Sequence, residues 1–448
     1  MDYIQNTDAD RAAMLAAAGA KSVDDLFAAI PDAVRLKRPL QLPASLSEQE
    51  LLAHMSALAA KNVTSDSHPA FLGGGGYAHF VPAAVEQIGL RGEYVTSYTP
   101  YQAEASQGTL QHIFEYQTMI CELTGLDVAN ASHYDGSTAL AEAAALAIDA
   151  SDRKRIAVSA AVNPQYREVL RTLYRHLGVE IMEIGTFDGA TPAATVKDVA
   201  PGAAGVIVQS PNFFGVVEDL DEIGKAAHAG GALAVASVNP VALAVLKPPG
   251  ACDFDVAVGD AQPFGIEVGF GGPWCGFMAA KKQFIRQMPG RIAGETVDAE
   301  GKRAFCLTLQ TREQHIRREK ASSNICTNQA LMALRATMTM SALGKHGVRA
   351  LATICAQRAH ALEKAVTSVR GVKRPHATPF FHEFVVEMPA DTDAVNARLL
   401  ERGFIGGLNV SPMYHDLRRA MLLCATEKNS PADLQRFAAA FAEAVHEK

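Results

Sequence analysis

The chain has 448 residues, of which 48% are hydrophobic and 20% charged, and a formal net charge of -7. That length supports a large core and more than one domain, while the acidic balance gives no reason to expect nucleic acid or an anionic membrane as partner. No apolar run approaches a membrane span, and the polar start MDYIQNTDADRAAM reads as neither a secretory signal nor a transit peptide. Seven scattered cysteines without a CxxC suggest reduced, mostly buried thiols, hence a cytoplasmic protein.

In chain order, Asp8–Ala18 and Leu46–Ala60 carry apolar residues at helical spacing, with Ser45 and Glu48 in the form of a capping box. Arg35–Pro43 between them is proline-punctuated and extended. Residues 1–61 are expected to form a helical arm without its own core, either wrapping a partner subunit or packing on its own body. Next comes Phe71–Tyr77, FLGGGGY. Consecutive glycines exclude a helix and let backbone pass close to a ligand or to another backbone. The run matches neither GxGxxG after a strand nor GxxxxGK[ST], which argues against a nucleotide phosphate loop. His68 and His79 flank it without metal-ligand spacing, so hydrogen-bonded structural roles are expected.

Ser97–Ser106 is an aromatic, proline-bearing loop and Leu110–Thr124 an amphipathic helix. The strand-like Val128–Ala131 then runs into Tyr134–Thr138 and an Ala-rich helix. Backbone N–H groups and hydroxyls at such a helix start suit an anion; the alternative is that Ser137 or Thr138 is a simple N-cap. From there to Ala280, strand-like runs at Ile156–Ser159, Glu180–Ile184, Gly205–Gln209, Ala232–Ser237, Phe254–Val258 and Trp274–Ala280 alternate with helical stretches at Thr138–Asp149, Pro164–Leu177 and Leu220–Ala229. This alternation predicts an α/β fold with a large, mostly parallel sheet covered on both faces, and ligands at the carboxyl ends of its strands. The basic cluster Arg312, His315, Arg317, Arg318 and Lys320 is either a solvated face or an electropositive rim. A long helix or helix pair over Gln329–Val369, strands at Phe381–Glu387 and Ala420–Leu423, and helices at Thr392–Arg402 and Pro431–Glu447 predict a small C-terminal α+β domain. The expected division is 1–61, 62–330 and 331–448.

Several strings narrow this further. Phe71–Tyr77, Tyr98–Gly108 (YTPYQAEASQG), Phe114–Leu126 (FEYQTMICELTGL), Ser132–Glu142 (SHYDGSTALAE) and Leu307–Gln329 (LTLQTREQHIRREKASSNICTNQ) together resemble the glycine decarboxylase P-protein family of the glycine cleavage system. The likeness runs along essentially the whole chain and is to the N-terminal half of the single-chain form, the pattern of subunit 1 of the split form. The resemblance implies the aspartate aminotransferase-like fold type I of pyridoxal phosphate (PLP) enzymes. It implies glycine as substrate, a separate subunit 2 and the lipoylated H-protein as partners, and neither nucleic acid nor membrane.

The family's chemistry needs a lysine for the PLP imine and an acid beside the pyridinium nitrogen. By resemblance, Gln262 stands where the lysine would be and Ala236 where the acid would be. An amide forms no imine, so no catalytic residue and no covalent PLP are expected on this chain; the partner subunit would hold the cofactor. Residues expected to border the partner's site are Ser65, Gly73, Gly74, Gly75, Gly76, Tyr98, Thr99, Tyr101 and Gln102. Two alternatives remain: a self-sufficient fold type I lyase or aminotransferase using Lys247, Lys281 or Lys282, and a pure scaffold subunit.

Overall fold

The computed structural model describes residues 5–321, 323–325 and 328–447. Two compact units meet in sequence at Val63 and Thr64. In the first, α1 (Asp8–Ala17) and α2 (Glu48–Ala59) flank a 3-10 turn at Val23–Phe27. The predicted capping box moves by two residues. Ser47 caps α2, its hydroxyl accepting from the Glu50 N–H while the Glu50 carboxylate accepts from the Ser47 N–H. This start also puts Leu46 and Leu51 at the two positions of a hydrophobic staple, which a start at Ser45 would not. No described residue of this unit is buried. Leu40, Leu42, Leu52 and Met55 are among its exposed apolar side chains.

The second unit begins with α3 (Ala83–Gly89), α4 (Gly92–Val95) and α5 (Gln107–Thr124). Then come β1 (Val128–Ala129), α6 (Gly136–Ser151), β2 (Arg155–Ser159), α7 (Pro164–Tyr174), β3 (Glu180–Ile184), α8 (Ala193–Val199), β4 (Gly205–Ser210), α9 (Leu220–Ala229), β5 (Leu233–Val238), β6 (Val256–Asp260) and β7 (Gly276–Ala280). The strands form one 7-stranded sheet in the order β1-β7-β6-β5-β4-β2-β3. β6, β5, β4, β2 and β3 run parallel, and β7 is antiparallel to both its neighbours.

Alternation along the strands shows why they read as unbroken apolar runs. Ala234 and Ala236 of β5 join a core with Ile120 of α5, Ile223 of α9 and Ala336. Val235 joins the opposite core, with Leu140 of α6 and Leu170 of α7. Both faces are buried, as parallel sheets require.

A hairpin of β8 (Ile292–Val297) and β9 (Arg303–Thr308), absent from the sequence reading, packs on α5 through Phe305 and Leu110. After the single turn α10 (Gln314–Arg317), α11 (Ala330–Thr367) is broken at Gly344, whose φ of 61° suits glycine. β10 (Glu383–Glu387), α12 (Thr392–Glu401), β11 (Leu408–Asn409), β12 (Ala420–Cys424) and α13 (Pro431–His446) complete the chain, with a 3-stranded antiparallel sheet β10-β12-β11. Phe71 enters this C-terminal core and stacks on Phe437 at 3.9 Å. That anchors the start of the glycine run.

Candidate functional site

The carboxyl ends of β4, β5 and β6 open onto a cavity of ≈ 40 Å³ lined by Gln209, Ser237, Asn239 and Asp260, and closed by Gly75, Tyr77, Tyr166, His382 and Glu383. A buried water needs about 10–15 Å³ of such space, so a few waters fit. Cofactor-sized ligands do not.

The chain's own polar groups fill the remainder. Glu383, at the start of β10, is buried; its carboxyl accepts from the Gly74 N–H at 2.6 Å and from the Tyr77 hydroxyl at 2.7 Å. Burial pushes its pKa up to about 7 despite these donors. The glycines are required by this contact: a Cβ on Gly73 would stand 2.1 Å from the Glu383 Oε1. The close approach foreseen for the run is thus to a side chain of the same polypeptide.

Gln262 engages Tyr77 through its backbone. Its Oε1 accepts from the Tyr77 N–H at 2.9 Å, and its Nε2 donates to the carbonyls of Tyr77 and Ile266, each at 2.8 Å. One amide thereby matches another, donor to acceptor and acceptor to donor. An ammonium has no acceptor and could not do this.

Asp260 accepts from the backbone N–H groups of Gln262, Cys275 and Gly136 at 2.9, 3.2 and 3.1 Å, and burial raises its pKa to about 6. The start of α6, read from sequence as an anion site or a Ser137 or Thr138 cap, is capped by Asp135. Its carboxylate accepts from the Thr138 N–H at 2.8 Å and the Ser137 hydroxyl at 2.9 Å. With Asp260 on the Gly136 N–H, two internal carboxylates already satisfy the donors an external anion would use.

The structure brings Gln262 to Tyr77, the residue after the Gly73–Gly76 run; of Gln262 and these glycines only Gly75 lines the cavity. Ala236 sits in the apolar core, and among β5 residues it is Ser237 and Val238 that line the cavity. Ser65 is half-buried and apart from the cavity lining. Tyr98, Thr99, Tyr101 and Gln102 form a loop before α5, and none of them lines the cavity. Tyr98, Tyr101 and Gln102 are exposed and Thr99 half-buried.

The alternative lysines are used elsewhere. Lys247 Nζ donates to Asp221 at 2.5 Å, and Lys281 Nζ to Asp253 and Asp255 at 2.7 and 2.9 Å. Neither they nor Lys282 line the cavity. His79 is a buried structural partner of Glu427 at 2.7 Å, and His68 Nδ1 lies 3.0 Å from the Ser67 hydroxyl. Arg312 leaves the basic cluster altogether: it is buried and donates to the carbonyls of Met288, Gly290 and Leu309.

Sequence reasoning missed Glu383 and His382. Both fall inside the predicted strand Phe381–Glu387, and an inward glutamate in an apolar strand was the available signal.

Comparisons with known proteins agree along the whole chain. The family model described as glycine cleavage system P-protein matches residues 1–441. A relative from Desulfitobacterium hafniense is 47% identical over 444 residues, covering 99% of this chain and 100% of its own length. One from Brevibacillus brevis is 49% identical over 439 residues, covering 98% and 97%. Both are named probable glycine dehydrogenase (decarboxylating) subunit 1. A crystal structure of glycine decarboxylase (P-protein) in inhibitor-bound form superposes with a TM-score of 0.89 at 46% identity, over 99% of this chain and 100% of that one. A glutamate decarboxylase of Lactobacillus brevis, at 12% identity and a TM-score of 0.69, shares the fold alone, which is fold type I of the PLP enzymes. By family match, by sequence and by fold, the chain belongs to the glycine cleavage system P-protein family.

Proposed function

We propose that this chain is the subunit of a two-chain glycine decarboxylase that holds no PLP of its own and completes the site of a cofactor-bearing partner. The complex would decarboxylate glycine and pass the aminomethyl group to the lipoyl arm of H-protein, in the cytoplasm. The carrying observation is the two-way bond between the Gln262 amide and the Tyr77 backbone, beside a cavity too small for PLP. The position that would need a primary amine holds a group that cannot supply one and that is already committed to structure.

Support for a partner comes from the first unit. With no buried residue and many exposed apolar ones, Gln5–Val63 lacks the interior that would stabilise it alone. We assign it to the partner subunit's surface. We assign the Tyr98–Gln102 loop, largely exposed and outside this chain's own cavity, to the border of the partner's cofactor.

The test is reconstitution. The isolated chain should show no bound-cofactor absorbance and no glycine decarboxylation, and mixing with subunit 2 should give both. Borohydride reduction of the active complex followed by peptide mapping should find pyridoxyl-lysine only in subunit 2. A pyridoxyl-lysine in this chain would sink the proposal and favour the self-sufficient enzyme.

A further inference from the structure

The loop before α5 carries an arrangement that the cavity does not explain. The Tyr101 ring is 51% exposed. Its hydroxyl oxygen accepts from Arg291 Nη2 at 3.2 Å, and the His315 ring stands edge-on at 5.6 Å. Behind the tyrosine, Arg291 and Glu313 are 5% and 7% exposed, with Nε and Oε2 3.4 Å apart. Arg291 Nε and Glu313 Oε1 have no hydrogen-bond partner among the described residues.

These atoms define a direction. A phenol whose oxygen accepts from a guanidinium keeps its proton for another acceptor, and accepting from a cation polarises the O–H as a donor. Glu313 lies beside the guanidinium, its Oε2 3.4 Å from Nε, and its negative charge keeps the buried pair neutral. The outward surface therefore offers a polarised O–H, an underlying guanidinium and the half-exposed His315. The group that satisfies this set is an oxyanion from outside the chain, a carboxylate or a phosphate.

We infer that Arg291, anchored by Glu313, is a positioning residue that aims the Tyr101 hydroxyl at an anionic group in the partner subunit's site. This rests on the function proposed above and selects Tyr101 from the loop residues expected to border that site. The oxyanion has two available sources, the carboxylate of glycine and the phosphate of PLP.

The experiment uses the complex reconstituted with subunit 2, with Tyr101→Phe, Arg291→Lys and the double variant. Tyr101→Phe should lower glycine kcat/KM or PLP affinity by about 10- to 100-fold, the size of a lost hydrogen bond to a charged group. A rise in KM for glycine identifies the carboxylate; a weaker PLP titration with unchanged KM identifies the phosphate. Arg291→Lys keeps the charge but loses the planar fork, so it should show a smaller loss on the same axis. Added to Tyr101→Phe it should cost nothing more.

Unchanged kinetics and PLP affinity in Tyr101→Phe would overturn the inference, as would losses from the two sites that add in full. If Arg291→Lys fails to assemble, Glu313→Gln replaces it, with the same non-additivity expected and additivity equally fatal. A wild-type chain that gives no active complex with subunit 2 overturns the broader proposal instead, so the two failures are distinct.

Discussion

Gln262 and Glu383 both hold Tyr77, one through the backbone and one through the hydroxyl. Restoring a lysine at 262 should therefore not restore a cofactor. Gln262→Lys leaves the Tyr77 N–H unpaired and buries a cation, for which we expect a loss of about 2 kcal/mol in denaturant unfolding and no PLP uptake by absorbance. Glu383 predicts a pH dependence. Its folded pKa, about 7, is raised above the ordinary 4.5 because burial disfavours the charged form. Its stabilising contribution is therefore full below about 4.5 and lost as pH rises through about 7. Denaturant melts of Glu383→Gln across that window should show a flatter stability profile than the parent; an unchanged slope would refute the assignment. The sequence shows an amide at 262, and it is the family resemblance that sets it against a lysine. What that amide binds was not legible there, because its partner lies 185 residues away along the chain.

At the scale of elements, capping shows how local sequence is read correctly in kind and wrongly in position. Ser45 and Ser47 both precede a glutamate by three residues, and the Leu46 and Leu51 pair separates the two frames. At α6, Asp135 has the advantage over Ser137 and Thr138 because a carboxylate beside the helix N-terminus gains from the dipole as well as from the Thr138 N–H. Asp135→Ala should destabilise the chain by about 1 kcal/mol in thermal or chemical melts. Asp135→Asn, which keeps the acceptor, should lose less. The β8–β9 hairpin escaped the sequence reading because its strands are only partly buried: Ile292 and Ala293 are inside while Glu295, Thr296 and Val297 are exposed. Its position under the Tyr101 loop gives it a role, since Arg291 immediately precedes β8.

At the scale of the molecule, the first unit and the remainder follow different rules. The sheet and its two covering layers bury their apolar residues internally, whereas no described residue of Gln5–Val63 is buried. Deleting residues 1–63 should therefore leave the circular dichroism and melting of the remaining chain close to the parent's. The same deletion should sharply weaken association with subunit 2 in sedimentation or size-exclusion experiments. Loss of folding, or undiminished association, would each contradict this view.

Sequence alone determined the alternation of strands and helices, because a strand buried on both faces must be apolar throughout and a covering helix must be apolar on one side. It also determined the family and the amide at 262. Only tertiary structure decided how little space is left at the carboxyl ends of β4, β5 and β6. That arrangement joins Tyr77, Gln262 and Glu383, residues far apart in the chain, and depends on a glycine run whose missing side chains admit a carboxylate. Contacts of that kind come from packing in three dimensions and leave no local pattern to read.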